Sequence, residues 1–187
     1  MSKNKVKILC LGAKKQIGKD TLCQLLKEIN PKFKRVALAD ALKSKMSGFC
    51  YELFRKMPEQ LDSQQKEMLR PLLIEAGRLA RSVNINYWCE QLVEQIEIYD
   101  STTANAESIY VITDMRYLNE FNYFKKIYGD SMIFINIERD GAPEPTTEEK
   151  NNAPELQKFA DFNLNWHTDE TLVSLRPIAR EIYSKFF

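Results

Sequence analysis

The hydrophobic positions of this chain alternate between two periods. Residues 6–11 (VKILCL) form a short, apolar, β-prone run, the signature of a strand buried in a parallel sheet. From Thr21 onward the period becomes helical, with Leu22, Leu25, Leu26 and Ile29 on one face. Further strand patterns lie at 35–39, 108–113 (the strongest), 132–137 and 162–166. Helical patterns cover 41–55, 63–82, 86–99 and 118–128, the last closed by Gly129, a residue suited to a helix end. Asp40 could cap the 41–55 helix, and Asp169 caps a final helix that runs to the C-terminus. Residues 100–107 (DSTTANAE) read as a loop, and 141–154, rich in Pro, Thr, Glu and Asn, as a mobile excursion. Strands alternating with helices predict an α/β fold of three layers, a central parallel sheet of about five strands with helices on both faces. No repeat or linker divides the chain, so 1–187 is expected to be a single domain.

Composition removes several function classes. A length of 187 residues supports one full core, with room for a small lid. A net charge of +1 and 44% hydrophobic residues give no global basis for binding nucleic acid or membrane. No apolar run approaches the ~18 residues of a membrane span, and the run after the first residues is too short for a signal peptide. Cys10, Cys23, Cys50 and Cys89 are scattered without a CxxC pair and read as reduced core thiols rather than a zinc site. A cytoplasmic protein is expected.

The candidate chemistry begins between the first strand and the first helix. Gly12, Gly18 and Lys19 stand there, in the order a phosphate-binding loop requires: backbone N–H groups converge on the phosphates, a lysine reaches their outer oxygens, and the helix N-terminus adds partial positive charge. The match to G-x-x-x-x-G-K is imperfect. The first glycine position is Ala13, Asp20 follows the lysine, and Thr21 comes one place late. A plain turn with a solvated Lys14-Lys15-Lys19 cluster is the competing reading. In the phosphate reading Lys19 takes the β- and γ-phosphates and the N–H groups of 13–21 form the cradle. Thr21 supplies a hydroxyl near Mg2+, and Asp114, at the end of the strongest strand, holds a metal-bound water. Asp20 is equally well a helix cap.

A monophosphate acceptor calls for arginine, whose guanidinium pairs bidentately with phosphate. Arg78 and Arg81, three apart on one helix face, and Arg116, two places after Asp114, are the candidates. A solvated helix face is the plain alternative for the first two. Asp40 and Lys43 are candidate contacts to a sugar or base, with N-capping the alternative for Asp40. Trp88 could line a base pocket, although an aromatic at helical spacing is more often core. Glu120 pairs with an arginine or serves as a first-turn acid. Arg139 could reach ATP from a lid at about 139–155, or be a bare strand-end charge. His167 stands alone and is not assigned to catalysis.

The ordered set Gly18-Lys19-Asp20-Thr21, Ala39-Asp40-Ala41-Leu42-Lys43, the segment 77–88, and Asp114-Met115-Arg116 with Glu120 resembles the bacteriophage-type deoxynucleoside monophosphate kinases, a branch of the P-loop NMP kinase fold. The resemblance covers roughly 5–138. It implies a P-loop NTPase fold with a five-stranded parallel sheet, MgATP as donor, a deoxynucleoside monophosphate as acceptor, and an acceptor-binding helical region at about 40–100. Ala13, Ile17 and a shorter middle region depart from the family pattern. Dephospho-coenzyme A kinases and animal-type phosphomevalonate kinases share a similar loop and plan, so another small-molecule acceptor stays open, as does a nucleotide-binding regulator without turnover. Leu69, Leu72, Leu73 and Leu79 offer a face for a homodimer. No nucleic-acid or membrane partner is expected.

Overall fold

The structure, a computed structural model, describes residues 7–13, 17–102, 108–142, 144, 147–167 and 172–187. Five strands, β1 (Lys7–Ala13), β2 (Phe33–Val36), β3 (Ile109–Met115), β4 (Met132–Arg139) and β5 (Phe162–Trp166), form one sheet in the order β2-β3-β1-β4-β5. Every pairing is parallel. Strand alternation sends β1 side chains to two separate cores. Leu9 and Leu11 enter the core made with helices α1 (Lys19–Ile29) and α8 (Leu172–Phe186). Ile8 and Cys10 enter the opposite core with α2 (Leu38–Lys45), α5 (Tyr87–Thr102), α6 (Leu118–Tyr128) and α7 (Thr147–Lys158). That is the three-layer arrangement expected. A satellite cluster of Cys50, Leu61 and Leu69 ties α3 (Ser47–Phe54) to α4 (Ser63–Val83). All four cysteines are buried free thiols.

Several expectations change. The strand expected over 35–39 is β2 at Phe33–Val36, because Leu38 and Ala39 already belong to α2. The helix expected over 41–55 is two helices that break at Met46 (φ −91°, ψ 1°), where Ser47 and Gly48, weak helix formers, follow. Asp40 does not cap the first of them. That helix starts at Leu38, and the N–H groups of Leu38 and Ala39 donate to Asp114 Oδ1 and Oδ2, each at 2.8 Å. A carboxylate from a distant strand therefore does the work of a local cap. The 141–154 excursion contains most of α7, whose Leu156 is fully buried beside Phe121 and Phe134, and Leu118 N–H donates to Asn152 Oδ1 at 3.1 Å. Finally, Leu69 is buried and Leu73 packs on its cluster. Of the four leucines named for a dimer face, only Leu72 and Leu79 are exposed.

Candidate active site

The carboxyl ends of β2, β3 and β1 meet at one edge of the sheet, where ligands bind in open parallel sheets. Register places Gly12 opposite Met115 after an irregularity in the β1–β3 pairing, so Asp114 lies level with the carboxyl end of β1. Gly12 itself lies within β1. A Cβ there would come 2.6 Å from two carbons of the Phe134 ring, so close packing accounts for this glycine. Ala13 is the last residue of β1, opposite Ile137. Lys14 and Lys15 lie outside the described residues.

The loop re-enters at Ile17, fully buried in the α1/α8 core, which explains a large residue where a small one was expected. Gly18 follows with φ +87°, a conformation costly for any residue with a Cβ, and the Trp166 ring fills the space a Cβ would need. Gly18 is also the N-cap of α1 and, being glycine, offers that turn no side-chain cap of its own. A left-handed glycine at a helix start, next to a lysine only 7% exposed, suits an anion cradle. Thr21 is half-buried in the same first turn.

Asp20 turns away from any capping role. Its Oδ1 accepts from Arg35 Nε at 2.7 Å, while Arg35 Nη1 donates to Asp40 Oδ2 at 2.6 Å. Asp40 Oδ1 in turn accepts from Lys43 Nζ at 3.1 Å. Burial works against the Arg35 charge, but the two carboxylates outweigh it and raise its pKa further above the arginine range. Sequence reasoning passed over Arg35, which stands first in the strand expected over 35–39; β2 ends at Val36 and so places Arg35 near its carboxyl end.

On β3, burial pushes the Asp114 carboxyl upward, against the lowering pull of the Ala39 and Leu38 N–H groups and of Arg116. Glu120 is 7% exposed, and its Oε2 accepts from the backbone N–H of Arg116 at 2.7 Å and of Tyr117 at 3.0 Å. Burial raises its pKa to about 7 despite those bonds; Asp114 adds to the rise and Arg81 opposes it. The Arg81 guanidinium lies 5.1 Å from the centroid of the Tyr117 ring. Arg81 is half-buried and forms no ion pair among the described residues. Arg78 is different: exposed, with Nε and Nη2 both donating to Glu75 Oε2 at 3.0 and 2.8 Å. The two arginines named together thus part company, Arg81 toward the cluster and Arg78 toward its own helix surface.

Trp88 belongs to the core and not to an open pocket. It is buried in the core cluster, and its indole N–H donates to the Gly77 carbonyl at 3.2 Å, joining α5 to α4. Arg139 is exposed at the end of β4. His167 Nδ1 lies 2.8 Å from Asp140 Oδ2, both side chains well exposed.

The matching family model is that of phosphomevalonate kinase, over residues 11–130, well over half of the chain. The chain belongs to the phosphomevalonate kinase family. It is accordingly an ATP-dependent phosphotransferase of P-loop kinase type that acts on a small molecule. The matched family is not the deoxynucleoside monophosphate kinase family that the motifs resemble; what the two share is the P-loop kinase plan. Among solved structures, dephospho-CoA kinase from Campylobacter jejuni aligns with a TM-score of 0.53 at 13% identity, covering 95% of this chain and 96% of that one. That likeness supports the fold. A gluconokinase from Sinorhizobium meliloti aligns with a TM-score of 0.42 at 11% identity, over 99% of this chain and 100% of that one. No curated protein matches the sequence. No helix among the described residues is long and apolar enough to cross a membrane.

Proposed function

We propose that this kinase phosphorylates a phosphomonoester, and that its acceptor is a deoxynucleoside monophosphate. The observation that carries the reading is Arg81. A half-buried guanidinium over the Tyr117 ring that forms no ion pair among the described residues, with Tyr117 next to Arg116 and two residues beyond the strand end, is an arrangement that suits an acceptor phosphate. Bound MgATP supplies the phosphoryl group and divalent charge. Lys19 and the amides of the α1 first turn hold its phosphates, and Thr21 and Asp114 face the metal. Both Asp114 oxygens already accept an N–H, which suits a carboxylate that reaches the metal through water. Arg81 and Arg116 orient the acceptor so that its phosphate oxygen attacks in line. One P–O bond forms to the γ-phosphorus, the bond to the β-phosphate oxygen breaks, and ADP leaves beside a diphosphate product. Asp40 and Lys43 stand where the sugar or base would lie, at the edge of the helical region 40–100.

Phosphomevalonate is the second reading, favoured by the family match, and it is also a phosphomonoester. A coupled ADP-release assay with MgATP separates the two. Its acceptors are dAMP, dGMP, dCMP, dTMP and dUMP, the ribonucleotides and phosphomevalonate. Stimulation by one or more deoxynucleotides is expected; stimulation by phosphomevalonate alone would replace the nucleotide reading, and silence with every acceptor would point to another small-molecule acceptor.

A further inference from the structure

We propose that Arg35 is a positioning residue that couples the donor loop to the acceptor helices, its guanidinium joining Asp20, next to Lys19, to Asp40 on α2. The proposal rests on the donor lying at Lys19 and the acceptor beside α2. Arg35 is the last but one residue of β2, and its fork spans two carboxylates of different elements at 2.7 and 2.6 Å. A planar guanidinium with several fixed donors holds two such partners at a set angle, which an ammonium does not do. Asp40 then passes the constraint to Lys43. The same turn of α2 is held from below by Asp114 through the Leu38 and Ala39 amides. The start of α2 is therefore tied both to the donor helix and to the strand that faces the metal. This network also gives Asp20 a function at a position where a hydroxyl is the usual residue.

The consequence is a coupling between subsites. Nucleotide phosphates at the α1 N-terminus restrain Lys19 and Asp20. Through Arg35 that restraint reaches Asp40, so a filled donor loop orders the acceptor edge before the acceptor arrives. Exposed ion pairs contribute little to stability, so the bridge acts on the relative placement of two elements and leaves the fold standing without it.

Hydrogen exchange tests this without a known acceptor. In the unsubstituted protein, Mg2+ with a non-hydrolysable ATP analogue should slow exchange of the α2 amides by about fivefold or more, the low end of ordinary coupling between sites. Arg35→Gln and Asp20→Asn should each abolish the slowing on α2 while the analogue still protects α1. Arg35→Lys should fail as well, since one ammonium does not span both carboxylates. Equal α2 protection in Arg35→Gln, or none in the unsubstituted protein, would overturn the proposal. Unchanged exchange in β1 and β3 confirms that each variant is folded. If no deoxynucleotide stimulates ADP release yet the Arg35-dependent protection is present, the acceptor reading fails and the coupling stands; the converse result separates them the other way.

Discussion

On the donor side of the cleft, Ile17 and Lys19 are buried and Gly18 lies against Trp166. On the acceptor side, Arg35, Asp40 and Arg81 stand half in solvent and are placed by ion pairs, a ring contact and backbone amides. The donor loop is held by close packing, where a single added methyl group has no room. The acceptor edge is held by polar contacts that are individually weak and geometrically adjustable. Such a division suits a kinase: every P-loop kinase presents the same triphosphate to a rigid cradle, while acceptors differ and require a wall that can be respecified and moved.

The largest effect should come from the rigid side. Lys19→Ala is expected to lower phosphoryl transfer by roughly three orders of magnitude, about 4 kcal/mol of transition-state stabilisation, while unfolding free energy falls by no more than about 3 kcal/mol, the ordinary range for a point substitution. Single-turnover ADP release and urea unfolding read the two quantities. A small rate effect would remove Lys19 from the phosphates, and a large loss of stability would make it a structural residue.

That division also explains what was legible in the sequence. The donor side is local: strand, left-handed glycine, lysine and helix follow one another within twenty residues, and their spacing carries the chemistry. The central strands β1, β3 and β4 were visible for the same reason, because a strand buried on both faces is written as a short apolar run; the edge strand β2, with Lys34 and Arg35 toward solvent, was placed over 35–39 instead of Phe33–Val36. The acceptor side depends on contacts between residues far apart in the chain. Asp114 caps a helix 76 residues away, and nothing near Leu38 announces it, so Asp40 took the role by default. Arg35 looked like an ordinary strand-end cation because its partners lie on α1 and α2. Spacing alone made Arg78 and Arg81 a pair, but an offset of three turns a side chain by some 60° from its neighbour on a helix, enough to send one to Glu75 and the other to Tyr117. In α7, a polar and proline-bearing sequence hid a helix whose place in the core depends on Leu156.

The next effect concerns a buried carboxyl on the acceptor side. Glu120 has its pKa raised from 4.5 to about 7, so the folded protein holds this proton across a window in which the unfolded chain has released it. Stability from this group is complete below the unfolded value and falls as pH rises through the folded one, by about 3 kcal/mol in all. Glu120→Gln keeps an oxygen for the Arg116 and Tyr117 amides and removes the titration. Urea unfolding at about pH 5 and about pH 8 should therefore show the unsubstituted protein losing roughly 2 to 3 kcal/mol relative to the variant. Parallel behaviour of the two proteins would mean that Glu120 is charged throughout, and that the acceptor side has no buried centre to compare with the donor loop.

The smallest effect is the sharpest test of the acceptor wall, because it sets two arginines of one helix against each other. Arg81→Ala removes a half-buried cation that lies over the Tyr117 ring and forms no ion pair among the described residues; the KM for the acceptor should rise about thirtyfold, near 2 kcal/mol, with the KM for ATP little changed. Arg78→Ala removes an exposed cation bound to Glu75 three residues before it, a pair worth a few tenths of a kcal/mol, and should leave both KM values within about twofold. Steady-state kinetics with each substrate varied in turn decides the matter. Equal losses for the two variants would mean that the whole helix face meets the acceptor and that the Tyr117 stack does not select Arg81. An Arg81→Ala defect in ATP alone would move this guanidinium across the cleft to the donor, and the contrast between a packed donor loop and a polar acceptor wall would have to be redrawn around it.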